Sequence, residues 1–374
     1  MKLIYLSNSR MPIELAHGLQ VMQMCEAFSQ NKCEVELIVP RRINKIKQSP
    51  FLYYGINSIF SLTRLPTIDL IFLNNRSVFF LIQTVTFLLF SKLYLLFKHF
   101  DLLYSREQMA GLFFKNVVLE IHLLPKRIRP FHLYVWKRAK KLVVITSFIK
   151  NRLIEAGISE DKIIVASDGV NLALFDISMS KEEARAKLQL PNNKRILGYV
   201  GMLRTLGMEK GVDIAIKALS EIKEENIIFV LVGGSKTDID FYKKMVGDLK
   251  LEKRVVFIGR VEHSLIPTYL KAFDILLAPF PENEHYSYYM SPMKIFEYMA
   301  SGRPIVTTKL PTLSEILGDC ALLVAPGSVA ELRSGIMSIL NNSELDKNLS
   351  KKAHSRVLTY TWEARAKQIL DSLK

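Results

Sequence analysis

Short apolar runs alternate with segments of helical period along the whole chain. In the first half, Lys2–Leu6, Val35–Val39, Leu70–Leu73, Leu102–Tyr104, Val117–Ile121, Leu142–Ile145 and Ile163–Val165 read as strands. Several of these runs are continuously apolar, as expected for parallel strands covered on both faces. Helical segments such as His17–Gln30 and Ser147–Ala156 separate them. The second half repeats the plan. Strands are predicted at Ile196–Val200, Ile227–Val232, Val255–Ile258, Ile275–Ala278, Ile305–Thr307 and Leu322–Val324, with helices near Val212–Lys223, Asp240–Leu249, Ile266–Ala272 and Pro292–Ala300. This β-α alternation predicts an α/β protein built on two doubly wound parallel sheets. Apolar residues give way to polar and charged ones over Ile177–Leu190, which marks a linker. The expected division is therefore residues 1–177 and 178–357, with 358–374 as a final helix. Ligands of such sheets bind beyond the carboxyl ends of the strands, so the expected site is a cleft faced by both domains.

The segment Ser291-Pro292-Met293-Lys294-Ile295-Phe296-Glu297 carries the most chemistry. Ser291 is a candidate cap, and Pro292 suits a first helical turn because its missing N–H costs nothing there. Lys294 and Glu297, three apart, project from one face near the helix start. A helix N-terminus with a Lys and a Glu suits a phosphate beside hydroxyl groups, the combination a nucleotide-sugar presents. Gly302 is positioned to end this helix before the strand at Ile305.

Other candidates are weaker alone. The run from Gly201 to Asp213 follows a strand and opens a helix; Arg204 and Lys210 are its candidate phosphate cations, although two surface cations on an ordinary loop fit as well. Gly233-Gly234 either approaches a nucleotide or simply turns the chain. Ala16-His17-Gly18 leads into a helix, with Gly18 permitting close approach and His17 a possible donor; a structural loop fits equally. Glu120-Ile121-His122 ends a strand, and Arg106 follows another. A lone His such as His122 is more often a packed residue than a catalyst.

The chain of 374 residues is long enough for two cores, and 49% of it is hydrophobic. Cys25, Cys33 and Cys320 form no CxxC pair, which points to a reduced, cytoplasmic protein. The first ten residues lack the pattern of a secretory signal. There is no metal-ligand spacing, Walker loop, GxGxxG or GxSxG, so no metal or nicotinamide cofactor is expected. The net charge of +15 is concentrated. Residues 41–138 hold 15 Lys/Arg against 4 Asp/Glu, together with the apolar stretch Val78–Phe97. That pairing favours an anionic membrane surface over nucleic acid, since no nucleic-acid module is present. The stretch is near the length of a span, but Gln83, Thr84, Thr86, Ser91 and Lys92 interrupt it, which favours a buried or interfacial helix.

Together these segments resemble the retaining GT-B glycosyltransferases of the group-1 family (glycosyltransferase family 4). The likeness extends over nearly the whole chain. It rests on Ala16-His17-Gly18, Ser167-Asp168-Gly169-Val170-Asn171 with Phe175, the Gly201–Asp213 loop, Val256–Gly259, Ile266-Pro267, Ala272-Phe273-Asp274, the Ser291–Ala300 helix and Thr361-Trp362-Glu363. It implies two Rossmann-like domains facing a cleft, and a last helix packing on the first domain. It also implies metal-independent transfer of a sugar, hexosyl by type, from a nucleotide-sugar to a glycan or lipid-linked acceptor. Surface polysaccharide, lipopolysaccharide or glycolipid synthesis at the inner membrane face is the expected setting. It assigns His122, Arg204 and Lys210 to catalysis, and His17, Gly18, Gly201, Gly233, Ser291, Lys294 and Glu297 to the donor. Arg106 and Glu120 fall on the acceptor side. The family's paired acids are separated by seven residues, and Tyr289 stands where the first is expected. A nucleotide-sugar epimerase of the same fold, or a non-catalytic nucleotide-sugar-binding protein, are the alternatives.

Overall fold

The computed structural model describes residues 1–70, 76–205 and 208–374. In chain order the elements begin β1 (Lys2–Leu6), α1 (Ala16–Gln30), β2 (Glu34–Pro40), α2 (Pro50–Tyr54), β3 (Ser61–Leu65), α3 (Arg76–Leu95), β4 (Leu102–Ser105) and α4 (Ala110–Phe113). Next come β5 (Val118–Ile121), α5 (Pro130–Arg138), β6 (Lys141–Val144), α6 (Ser147–Glu155) and β7 (Ile163–Val165). They continue with α7 (Leu172–Phe175), α8 (Lys181–Leu188), β8 (Arg195–Val200), β9 (Arg204–Thr205), β10 (Met208–Glu209), α9 (Val212–Ser220), β11 (Ile227–Val232), α10 (Lys236–Asp248), β12 (Val255–Gly259) and α11 (Ile266–Ala272). The chain closes with β13 (Ile275–Ala278), α12 (Glu284–Tyr288), α13 (Met293–Ala300), β14 (Ile305–Thr308), α14 (Pro311–Leu317), β15 (Leu322–Val324), α15 (Val329–Leu340), α16 (Ser343–Val357) and α17 (Trp362–Asp371).

Two compact units result: unit 1 is Met1–Asp168 with Trp362–Lys374, and unit 2 is Gly169–Thr361. Unit 1 is a seven-stranded parallel sheet in the order β3-β2-β1-β4-β5-β6-β7. The order reverses at β1, so β1 and β4 part their loops at the carboxyl edge. Helix α17 belongs to this unit and packs beside α1. Unit 2 is a six-stranded parallel sheet in the order β12-β11-β8-β13-β14-β15, reversing between β8 and β13.

Several expectations need correction. The boundary between the units lies at Asp168/Gly169 and again at Thr361/Trp362, not at 177 and 357. The segment read as a linker contains α8. Ser180 Oγ accepts from the Glu183 N–H at 3.1 Å, Glu183 Oε2 accepts from the Ser180 N–H at 2.8 Å, and this reciprocal cap starts the helix. Buried Arg185 then ties α8 to unit 2, donating to Asp274 Oδ2 at 2.6 Å. Strand β3 went unpredicted because Ser61-Leu62-Thr63-Arg64-Leu65 reads as a polar edge. Most of the predicted strand Leu70–Leu73 lies outside the described residues. Helix α13 starts one residue later than expected, with Pro292 at the cap position.

Candidate functional site

In unit 2, the functional side chains gather where β8 and β11 end. Gly201 (φ 130°) and Gly233 (φ 112°) turn the chain out of these strands in a conformation that favours glycine. A Cβ on Gly233 would stand 2.2 Å from the Gly201 carbonyl oxygen, so Gly233 is first a packing requirement. Tyr298 anchors α13 here, its hydroxyl accepting from the Val200 N–H at 2.8 Å.

That anchoring places Lys294, in the first turn of α13, over the Tyr199 ring at 3.7 Å from its centroid, with Phe280 at 5.5 Å. Its Nζ is sealed from solvent and has no hydrogen-bond partner among the described residues. It lies so near Gly201 that a Cβ there would be 3.1 Å away. Desolvation pushes this ammonium well below the usual lysine range, and Lys210 pushes it further, against Glu297. Burial also lowers Lys210. His285 is lowered by burial and then by Lys210. Two cations thus converge beside a helix N-terminus, with the cation–π faces of Tyr199 and Phe280 as partial compensation. Glu297, one turn on, has Oε1 3.9 Å from His263 Nε2, and the His263 ring meets Phe175 edge-on. Arg204, the other cation expected on this loop, pairs its guanidinium with Glu209 at 3.2 Å and stacks on Phe241 at 4.8 Å. Residues 206–207 of its loop lie outside the described residues. Ser291 is buried just ahead of α13, and Tyr289 follows the short helix α12.

Unit 1 holds a buried polar network at the carboxyl edge of β4 and β5. Glu120 is wholly buried and accepts from Gln20 Nε2 at 2.7 Å, His122 Nε2 at 2.5 Å, Arg365 Nη2 at 3.0 Å and the Tyr104 hydroxyl. Burial alone would raise its pKa; Arg365, then His122 and Arg106, hold the carboxyl well below the usual range. Arg365 also donates to the carbonyls of Ala166 and Ser167. Burial and then Arg106 lower His122, against the pull of Glu120. Asp168 is raised by burial. Glu120, His122 and Asp168 bring potential ligand atoms within 4.8 Å of one another, but the Arg365 guanidinium is already the cation on Glu120. Glu120 is therefore an interior counter-ion, and the expectation that it meets an acceptor is corrected. Gly18 is corrected similarly. A Cβ there would stand 2.1 Å from the Tyr54 hydroxyl, so its small size serves packing.

His17 and Arg106 line a cavity of about 510 Å³ with Ser7, Asn8, Ser9 and Arg10. Arg106 Nη1 donates to Gln20 Oε1 at 2.7 Å, joining the cavity to the network. Burial, then Arg106 and His122, push His17 down to about 4. Arg10 Nε is buried with no hydrogen-bond partner among the described residues.

The match to known families lies in unit 2. Residues 180–356 match the family model "Glycosyl transferases group 1". The D-inositol 3-phosphate glycosyltransferase of Corynebacterium glutamicum is 25% identical over 220 residues, covering 56% of this chain and 50% of its own. A putative colanic acid biosynthesis glycosyl transferase of Escherichia coli is 27% identical over 205 residues, covering 52% and 48%. The chain spans about half the length of the curated relatives it matches. The crystal structure of Anabaena HepE in complex with UDP superposes with a TM-score of 0.73 at 20% identity, over 100% of this chain and 99% of that one. The fold is GT-B.

Sequence reasoning missed Arg365, Gln20, His263 and Arg10. Arg365 had one legible signal, an arginine on the buried face of an amphipathic last helix.

Proposed function

We propose that the protein transfers a sugar, hexosyl by type, from a nucleotide-sugar to a glycan or lipid-linked acceptor. The observation that carries this reading is Lys294: a sealed, unpartnered ammonium beside Gly201 at a helix N-terminus, with Glu297 one turn on. Burying an ammonium without a partner is costly, and a diphosphate removes that cost. The group-1 match over the same residues and the UDP bound by the structural neighbour support the assignment.

In this reading Lys294, Lys210 and the α13 N-terminus hold the diphosphate, with Gly201 and Gly233 lining the approach. Glu297 holds the ribose hydroxyls, and His122 meets the reacting sugar. The bond from the anomeric carbon to the diphosphate oxygen breaks, and a bond to the acceptor oxygen forms as the acceptor hydroxyl passes its proton to the departing diphosphate. Charge on the departing diphosphate is what the unit-2 cations stabilise. The transfer retains anomeric configuration and needs no metal ion. The acceptor enters the unit-1 cavity, where Arg10, His17 and Arg106 favour an anionic group. Surface polysaccharide or glycolipid assembly in the cytoplasm is the setting, supported by the colanic acid relative.

A thermal-shift screen of nucleoside diphosphates in EDTA tests the donor site. A ligand at 100 times its Kd stabilises by about 2.7 kcal/mol. If no nucleoside diphosphate raises the midpoint, the donor reading is wrong. Proton NMR of the product's anomeric signal separates retention from inversion.

A further inference from the structure

Three elements of unit 2 meet around Glu297. Helix α13 carries it, α7 packs against α13, and a short 3-10 turn, His263–Leu265, lies between β12 and α11. Gly259, the last residue of β12, has φ 77°, a conformation that favours glycine, and turns the chain out of the sheet toward this turn. The Leu265 N–H donates to the Glu262 carbonyl at 3.0 Å, and Pro267 stands in the first turn of α11. The backbone at His263 is therefore fixed from both sides.

The imidazole is fixed as well. Phe175 of α7 meets the ring edge-on, with centroids 5.7 Å apart and planes at 70°. The His263 side chain keeps 28% of its surface in solvent, yet its Nε2 is buried and has no hydrogen-bond partner among the described residues. Across from that nitrogen stands Glu297 Oε1, 3.9 Å away. The separation is about 1 Å beyond a hydrogen bond, within reach of one rotation of a glutamate side chain. Among the described residues, no group donates a hydrogen bond to the Glu297 carboxylate.

A buried ring nitrogen without a partner is costly, and so is a glutamate that must lose its side-chain freedom each time it takes up hydroxyl groups. One movement answers both. When Oε1 turns onto His263, the imidazole gains an acceptor, and the other carboxylate oxygen is held toward a vicinal diol. Because Nε2 is itself sealed, His263 acts through Glu297 and not on the ligand.

We propose that His263 is a positioning residue of the donor site: its Nε2–H donates to Glu297 Oε1 as the ribose hydroxyls bind, and this bond sets the preference for a ribonucleotide over its 2′-deoxy counterpart. The proposal rests on the donor reading of Glu297 and adds to it the group that aims the carboxylate.

Calorimetric titration of the full chain with UDP, GDP and ADP, and with the 2′-deoxy counterpart of each, tests it. The wild type should bind at least one ribonucleoside diphosphate about tenfold tighter than its 2′-deoxy form. His263→Leu, and His263→Asn with an amide too short to reach Glu297, should each erase most of that preference by weakening the ribonucleotide most. His263→Gln, whose longer amide brings a donor to the same place, should restore it. In a Glu297→Ala background, His263→Leu should change neither affinity. Equal losses for both sugars, a preference retained by His263→Leu and His263→Asn, additive losses in the double variant, or His263→Gln no better than His263→Leu overturns the proposal. If the wild type binds none of these nucleotides, the donor reading itself fails. Binding without a ribose preference removes only the part given to His263.

Discussion

Unit 1 and unit 2 each bury charge at the carboxyl edge of a parallel sheet, but they treat it in opposite ways. In unit 1, Glu120 receives hydrogen bonds from four side chains, and Arg365 supplies its countercharge. In unit 2, the Lys294 ammonium faces two aromatic rings and has no hydrogen-bond partner among the described residues. A satisfied buried network holds its members in place, whereas an unsatisfied buried ion leaves interaction energy for whatever arrives. The first arrangement positions His122; the second leaves an ammonium held only against aromatic faces.

Breaking the satisfied network should have the largest effect. Arg365→Met leaves Glu120 without its guanidinium and should cost about 3–5 kcal/mol of stability in urea denaturation, with Arg365→Lys recovering part. A loss below about 1 kcal/mol would mean the pair is not a structural anchor.

Lys294→Met should act in the other direction. Removing an unpartnered ammonium should leave the denaturation midpoint unchanged or higher, while turnover of a nucleotide-sugar falls on the order of 10²–10³-fold. If Lys294→Met destabilised the fold as much as Arg365→Met, the contrast between the units would collapse.

Glu297→Ala comes next. Losing a charged acceptor of ribose hydroxyl bonds should weaken nucleoside diphosphate binding by roughly ten- to a hundredfold in calorimetry. Unchanged affinity would remove Glu297 from the donor site.

The smallest effect concerns pH. With His17 held at about 4 in the folded chain and near 6.5 when unfolded, the unfolded chain binds the extra proton between those values. Stability from this group is therefore full above about 6.5 and is lost as pH falls toward about 4. His17→Gln should flatten the melting midpoint over that interval, and an unaltered slope would exclude His17 as its source.

How much of this was legible in the sequence differed between the units. The unit-2 cluster proposed to hold the donor was visible in the sequence because its parts are local: a strand, a glycine turn, and a helix with Lys294 and Glu297 in its first turns. Hydrophobic runs located β1, β11 and β13 to the residue, since continuously apolar strands leave little room for another assignment. The roles of Glu120 and Gly18 were misread because tertiary partners set them. Nothing near Glu120 in sequence reveals a guanidinium 245 residues away, nor near Gly18 a tyrosine hydroxyl that fills the space a Cβ would need. Helix α3 was legible as apolar, but not which of its side chains are buried, because the direction of burial is a property of the sheet it covers.

The return of α17 to unit 1 also has a consequence for biosynthesis. Unit 2 is one continuous stretch inserted between the two pieces of unit 1. A ribosome therefore finishes unit 2 before it delivers Arg365. Until then the nascent first unit carries Glu120 without its countercharge and α1 without its neighbour α17, although it was made first. The inserted unit is thus the one able to fold earlier, and the first unit stays incomplete and aggregation-exposed until Trp362–Lys374 emerges.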